Sequence, residues 1–505
     1  MRGALIAAFA AFACSAPPKK EARFPDDFLF GSALSGFQVE MGCPTLPPSE
    51  CEDRGSDWYE LITTTELPDT ASLLSGDAPS SGPGHWELFA EDHARAAEEL
   101  HHNALRMSLE WSRLFPSPTD GVEGHEALKA IADLKALAHY RAMLQSLKDR
   151  GLAPLVTLNH YTLPAWLHDT VGCHQDLAAC TDRGWLDRPR AVREIAKYAG
   201  FAARELGDLV DRWATLNEPF AVVLPGYLLP SAERVNPPVV RLRFDEAKVV
   251  LGSMIEGHAR MYDAVQDNDR VDADGDGKPS EVGLVYAMTP TRPKDPESKL
   301  DQRAAKNVFY LWNTVFLNAV IKGDLDEQLD GTTVHREDLA GRMDYLGINY
   351  YTRITVEGLG DPAFPTLSPL TTFNPLTLAL WEDYPRGIYE MVLHAHGYGL
   401  PSIITENGTP DPHDDGTAPS YLTRHLLWLQ RALADGADVR GYFYWSLIDN
   451  YEWNHGVGMR FGLYAVDATD PMKKRTPRQA VETYARIVQA RDVPADLEDL
   501  YPALE

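Results

Sequence analysis

Short apolar, β-rich segments recur along the chain, each followed by a longer stretch with helical spacing. The strand-like segments are residues 28–33, 104–109, 154–159, 212–217, 282–287, 345–350, 402–405 and 439–445. Between them, residues 86–100, 135–149, 190–206 and 421–435 keep apolar positions at three- and four-residue spacing, the mark of an amphipathic helix. Eight such strands alternating with helices predict an α/β fold, a single (β/α)8 TIM barrel. An open doubly wound sheet shares this alternation, but no glycine-rich phosphate loop follows any strand. Pro, Gly and Asp collect in long connections near residues 41–84, 226–244, 271–279 and 358–375. These are read as long loops at the C-terminal face, where barrels build their sites. No repeat of solenoid length and no linker-like shift in composition divides the chain. The organisation expected is an N-terminal segment (1–20), one barrel domain (21–490) and a short C-terminal tail (491–505).

Composition changes this picture little. The chain has 505 residues, 44% of them hydrophobic and 24% charged, enough for one large barrel. A net charge of −27 would repel nucleic acid and anionic lipid surfaces, which argues against both as partners. Met1-Arg2 followed by the small and apolar residues 3–13 fits an export signal and is too short to span a bilayer. Two cleavage readings compete. Ala11-Phe12-Ala13 has the small–x–small pattern of ordinary signal cleavage, whereas Ala13-Cys14 is a degenerate lipoprotein site that would put a lipid anchor on Cys14. The destination is then the periplasm, the medium or the cell envelope. Beyond Cys14 the cysteines are Cys43, Cys51, Cys173 and Cys180, two local pairs. Four cysteines in an exported chain allow three disulfide connectivities, of which Cys43–Cys51 with Cys173–Cys180 is favoured.

Chemistry gathers at two strand ends. Trp213-Ala214-Thr215-Leu216-Asn217-Glu218-Pro219 and Ile403-Ile404-Thr405-Glu406-Asn407-Gly408 each place a carboxylate just past an apolar run. Singly, either Glu reads as well as a buried ion-pair partner. Together at the mouth of one barrel they match what glycoside cleavage with retention requires: two carboxyl groups roughly 5–5.5 Å apart. One is protonated and donates to the glycosidic oxygen; the other is ionised and bonds to the anomeric carbon.

These segments resemble the family 1 glycoside hydrolases, which include β-glucosidases and β-galactosidases. The resemblance runs from about Phe24 to Arg478 through seven collinear stretches. In order they are Phe28-Leu29-Phe30-Gly31 to Gln38, Arg106-Met107-Ser108 to Arg113, Asn159-His160-Tyr161-Thr162-Leu163-Pro164 and Thr215 to Pro219. Leu346-Gly347-Ile348-Asn349-Tyr350-Tyr351, Thr405 to Gly408, and Gly441-Tyr442-Phe443-Tyr444-Trp445-Ser446 on to Asp467 complete the set. The resemblance implies that Glu218 is the acid/base and Glu406 the nucleophile. It implies that Asn217 holds the sugar 2-hydroxyl and that Arg106 and Tyr351 hydrogen-bond the nucleophile. Gln38, His160, Asn349, Trp445, Glu452, Trp453 and Phe461 match the recognition residues for the terminal sugar, and Trp381 resembles a wall of the aglycone site. The implied activity is that of a retaining, exo-acting β-glucosidase with β-galactosidase or β-fucosidase side activity, taking small β-glycosides or β-linked oligosaccharides and needing no cofactor. A transglycosylating enzyme or a silent sugar-binding barrel are the alternatives; the latter conflicts with the retention of both carboxylates.

Two absences narrow the substrate. Glu452 stands where relatives that take 6-phosphorylated sugars carry Ser, and would repel a phosphate. Thioglucosidases replace the acid with Gln, whereas Glu218 is present. Two departures are also visible: Tyr161-Thr162 replaces a common Trp-Asp, and Glu110 replaces a common Ser. Outside the resemblance, Asp272-Ala273-Asp274-Gly275-Asp276-Gly277 has the first half of a calcium loop, with Gly283 at the twelfth position. A structural calcium ion on Asp272, Asp274 and Asp276 is one reading and a solvated acidic turn the other.

Overall fold

The computed structural model describes residues 23–359 and 382–504. Eight parallel strands close into a barrel in chain order: β1 Leu29–Ala33, β2 Ala104–Ser108, β3 Ala153–Asn159, β4 Arg212–Asn217, β5 Glu281–Ala287, β6 Tyr345–Asn349, β7 Ser402–Asn407 and β8 Val439–Trp445. The ring is sealed by β1 against β8, with Leu29 opposite Gly441 and Ala33 opposite Trp445. Each strand lies within two residues of its expected bounds. The largest difference is at β7, which continues past Thr405 because Glu406 pairs with Asn349 of β6 and Asn407 with Tyr444 of β8.

The barrel interior is a separate apolar cluster in which small and large side chains interdigitate. Ala33, Ala104 and Ala214 face Tyr345, Ile403 and Phe443. Glycines make room for the two rings. A Cβ on Gly31 would lie 2.7 Å from the Phe443 ring, and one on Gly283 2.6 Å from the Tyr345 ring. The outer faces of the strands bury against helices. Arg188–Leu206 and Phe244–Asn268 pack side by side there, and Asp133 caps Leu134–Lys148 by accepting from the Lys135 and Ala136 amides. The helix expected over 86–100 is α-helical only over His85–Ala94, then widens to a π-turn at Arg95–Glu99.

The first described residues meet the end of the last long helix at the base. Phe24 donates its amide to the Arg491 carbonyl, and Phe24, Phe28 and Phe30 pack with ring centroids 4.8–5.2 Å apart. Beyond residue 490 the chain forms the helix Ala495–Leu500, and the Leu504 carbonyl accepts from Trp428 Nε1. Both local disulfides form, Cys43–Cys51 and Cys173–Cys180. The 41–84 and 226–244 connections follow C-terminal strand ends as expected. Residues 271–279 do not: they follow helix Phe244–Asn268 and lead into β5, so they lie at the opposite face. Most of the 358–375 connection, together with Trp381 and Cys14, falls outside the described residues.

Candidate functional site

Seven strand ends converge on one mouth, and each contributes a side chain named from the sequence. β2 supplies Arg106, β4 Asn217 and then Glu218, β6 Asn349 and then Tyr351, β7 Glu406 and β8 Trp445. His160 follows β3, and the short helix Gly36–Glu40 after β1 carries Gln38.

Arg106 organises the centre. It is fully buried and makes four hydrogen bonds: Nε to Thr157 Oγ1, Nη1 to the Thr405 carbonyl and to Glu406 Oε1 at 2.5 Å, and Nη2 to Asn217 Oδ1 at 2.8 Å. Glu406 receives a second bond at Oε2 from the Tyr351 hydroxyl, 2.6 Å away. Both Glu406 oxygens are therefore held, one by a guanidinium and the other by a phenol. Glu218 stands differently. It is only half-buried, its Oε1 accepts from Asn349 Nδ2 at 2.8 Å, and its Oε2 bonds to the Tyr161 hydroxyl. Thr405 Oγ1 donates to Asn349 Oδ1, which fixes the amide so that Nδ2 faces Glu218. Glu218 has φ +44°, Tyr161 +71° and Trp453 +48°, so three non-glycine residues around one cavity hold left-handed backbone. Such conformations cost energy and concentrate where side-chain aim is constrained.

The electrostatics follow from burial. Burial pushes the Glu406 carboxyl up to about 7; Arg106 opposes the rise, the Glu218 charge adds to it, and the Tyr351 bond opposes it. The Arg106 guanidinium, bonded to Oε1, works against that rise and favours the ionised form of Glu406. His160 is held well below its usual range by burial and then by the charges of Arg106 and Arg234, so its ring is neutral.

Away from the carboxylates the cavity wall is made for hydroxyl groups. Asn217 Nδ2 lies 3.2 Å from His160 Nε2, which makes that nitrogen the acceptor and puts the ring proton on Nδ1. Gln38 Nε2 donates to Glu452 Oε2 at 2.8 Å. His160 Nδ1 and Gln38 Oε1 are both buried and meet no protein partner among the described residues. A donor and an acceptor left in this way beside one cavity suit a hydroxyl, which is both. Trp445 and Trp453 each lie near-parallel to the His160 ring with centroids 6.0 Å away, and Phe461 packs edge-on to Tyr351. Trp453 is itself packed among Phe37, Trp58 and Tyr161, so it serves as a floor.

Three residues escaped the sequence reading. Tyr161 was visible only as a departure, yet it bonds the half-buried carboxylate. Asn450 and Arg234 both donate to Glu452, and Arg234 sits in a long irregular loop with no local signature. The other departure is explained by the first. Glu110 Oε2 accepts from Thr162 Oγ1 at 2.5 Å while Oε1 accepts from the Phe37 amide, so the two unusual positions form one contact between the Gln38 helix and the β3 loop. Burial, then Asp53 and Glu40, pushes Glu110 well above the ordinary carboxylate range.

The acidic loop lies at the other end of the barrel. Asp272 and Asp274 come together with Asp211, which precedes β4, each offering an oxygen within 4.8 Å of the others. Asp276 is outside this group; its Oδ1 accepts from the Lys278 amide because the turn aims it back along the chain. Asp211 had no sequence signal, since it is 61 residues before Asp272.

Comparisons with known proteins agree with this geometry. The family model described as glycosyl hydrolase family 1 matches residues 20–493. A β-galactosidase of Pyrococcus woesei is 37% identical, over 94% of this chain and 99% of that protein. Among solved structures, a β-glycosidase from the hyperthermophile Thermosphaera aggregans superposes with TM-score 0.80 at 31% identity, over 96% of this chain and 100% of that one. A hyperthermophilic β-glucosidase from Pyrococcus furiosus gives 0.78 at 33%, over 95% and 99%.

Proposed function

The chain belongs to glycosyl hydrolase family 1 and is a retaining β-glycosidase, and from that premise we propose that it removes terminal β-D-glucosyl residues with Glu406 as nucleophile and Glu218 as acid/base. The Glu406 carboxylate attacks the anomeric carbon while Glu218 gives its proton to the glycosidic oxygen, and the aglycone leaves as an alcohol. The glycosyl ester on Glu406 is then opened by water, whose proton returns to Glu218. Sugar leaves with the β configuration, and both carboxyl groups end as they began. The observation that carries the assignment is the asymmetry of the pair: Glu406 is fixed on both oxygens by Arg106 and Tyr351, whereas Glu218 is half-exposed toward the mouth, where a leaving group departs. A panel of aryl β-glucosides, β-galactosides and β-fucosides tests the glycone. Turnover of the glucoside is expected to exceed the others, with galactoside and fucoside cleaved through the same dyad, because one hydroxyl is a modest energetic lever. A preference for galactoside would overturn the glucosidase reading and leave the chemistry standing.

The calcium reading belongs here as well. Calcium would sit on Asp211, Asp272 and Asp274 at the base of the barrel, far from the catalysis, and would act on stability alone. Burial raises Asp211 to about 6, with Asp274 and Asp269 adding to the rise against a bond from the Ala273 amide. A raised carboxyl binds protons in competition with metal, so stabilisation should be present above pH 6 and fade as pH falls through it. Millimolar calcium is expected to raise the melting temperature at pH 7.5, EGTA to reverse it, and Asp272→Asn to remove the response. An identical melting curve with calcium and EGTA would establish the solvated acidic turn instead.

We also propose export, with lipid attachment at Cys14 as one route. The Met1-Arg2 and apolar 3–13 segment and the two disulfides support this reading. Fractionation with palmitate labelling distinguishes a labelled, Cys14-dependent envelope protein from a secreted one. A cytoplasmic product with an intact N-terminus would overturn export.

A further inference from the structure

The cavity contains a second cation that the reaction above does not use. Arg234 lies in the loop between β4 and helix Phe244–Asn268, and its backbone neighbours are welded to the turn that carries Glu452 and Trp453. His455 Nε2 donates to the Glu233 carbonyl at 2.8 Å, and Asn454 Nδ2 to the Ala232 carbonyl at 2.8 Å. Trp58 Nε1 donates to Asn236 Oδ1 at 3.2 Å. So anchored, the guanidinium stands over the faces of Tyr161 and Trp453, 5.3 and 5.6 Å from their centroids, and Nη1 donates to Glu452 Oε1 at 3.2 Å. That is its one hydrogen bond to protein among the described residues, so Nε and Nη2 keep their protons for another partner.

Where the guanidinium sits defines what it would meet. A pyranose with C1 between Glu406 and Glu218 and with Asn217 and His160 along one wall would turn its far end to the bonded pair Gln38 and Glu452. Glu452 divides that end. Its Oε2 is occupied by Gln38 and Asn450, and its Oε1 faces Arg234. Exposure rises in the same direction: Gln38 is fully buried, the Glu452 side chain is 10% exposed and that of Arg234 27%. The one substituent of a hexose that projects beyond the ring toward a rim is the C6 hydroxymethyl group. Charge is balanced as well. Arg106 pairs with Glu406 and Arg234 with Glu452, so neither guanidinium lacks a carboxylate partner.

We propose that Arg234 is a specificity-determining residue, donating to the C6 hydroxyl of the terminal sugar while it holds Glu452 Oε1 against that same group. This rests on the glycosidase reading and extends it to the selection of hexosides over pentosides. It is tested with aryl β-glucoside against aryl β-xyloside, which has no C6. Arg234→Ala is expected to lower kcat/KM for the glucoside about 10- to 100-fold, carried mainly by KM, because a charge-assisted bond to the hydroxyl is lost. The xyloside should change less than about threefold, and Arg234→Lys, which keeps a donor and a charge, should restore part of the preference. Melting curves identify a variant that has lost its fold; Arg234→Gln then takes the place of Ala. Equal losses on both substrates, or no loss on either, would overturn the proposal. Wild-type protein inactive on every aryl glycoside would instead overturn the reading beneath it.

Discussion

Replacing Glu406 with glutamine is expected to lower kcat for aryl β-glucosides by at least about 10⁴-fold, the scale on which loss of a covalent nucleophile is felt. The amide has nearly the shape of the carboxylate and keeps an oxygen for Arg106 or Tyr351, so the cavity survives while the ester bond to C1 can no longer form. Single-turnover hydrolysis with a good leaving group isolates this step, and a variant within tenfold of the parent would place the nucleophile elsewhere. The pH profile should carry the same signature. A carboxyl raised to about 7 by burial and by the Glu218 charge must lose its proton before it attacks. The kcat/KM of the parent is therefore expected to rise with pH as Glu406 loses its proton. Glu218→Gln removes the like charge, and its ascending limb should move to lower pH.

Why so much of this was legible follows from the architecture. A strand inside a closed barrel is covered on both faces, so β2, β3 and β8 read as apolar runs that no solvated element would carry. The lumen confuses the reading at its mouth, where polar side chains still belong to strands. Glu406 and Asn407 look like the start of a loop, yet their backbones continue the β7 ladder. The motif residues Asn217, Glu218, Tyr351 and Glu406 converge because each sits at or just past the C-terminal end of its strand, a position that sequence order discloses, and Arg106 reaches them from the middle of β2. What sequence order cannot disclose is partnership across loops. Glu110 and Thr162 are 52 positions apart and each looked like an isolated oddity; in space they share a hydrogen bond. Arg234 is one of three arginines in an irregular stretch until the turn at Asn454 pins it beside Glu452. Asp211 joins the acidic loop only because β4 and β5 are neighbours in the ring.

Glu218→Ala should fail in a way that reveals its role. For a glucoside with a poor leaving group, kcat is expected to fall about 10²- to 10⁴-fold, the range supplied by a positioned proton donor. With a dinitrophenyl leaving group, which needs no proton, the ester on Glu406 should still form and then accumulate, because water has lost its base. Azide needs no base either. It is an anion small enough to enter the space the carboxylate leaves between Asn349 and Tyr161, the two groups that now hold Glu218. From there it meets C1 on the face opposite Glu406, so added azide should restore turnover and yield the β-glycosyl azide. The stereochemistry decides the matter. An α-azide would mean that the space Glu218 vacates lies on the α face of the sugar, which exchanges the two roles. Turnover with no azide adduct and no loss of rate would mean that Glu218 moves no proton at all. A β-azide is the outcome that only a pair of carboxylates facing each other across one anomeric carbon can give.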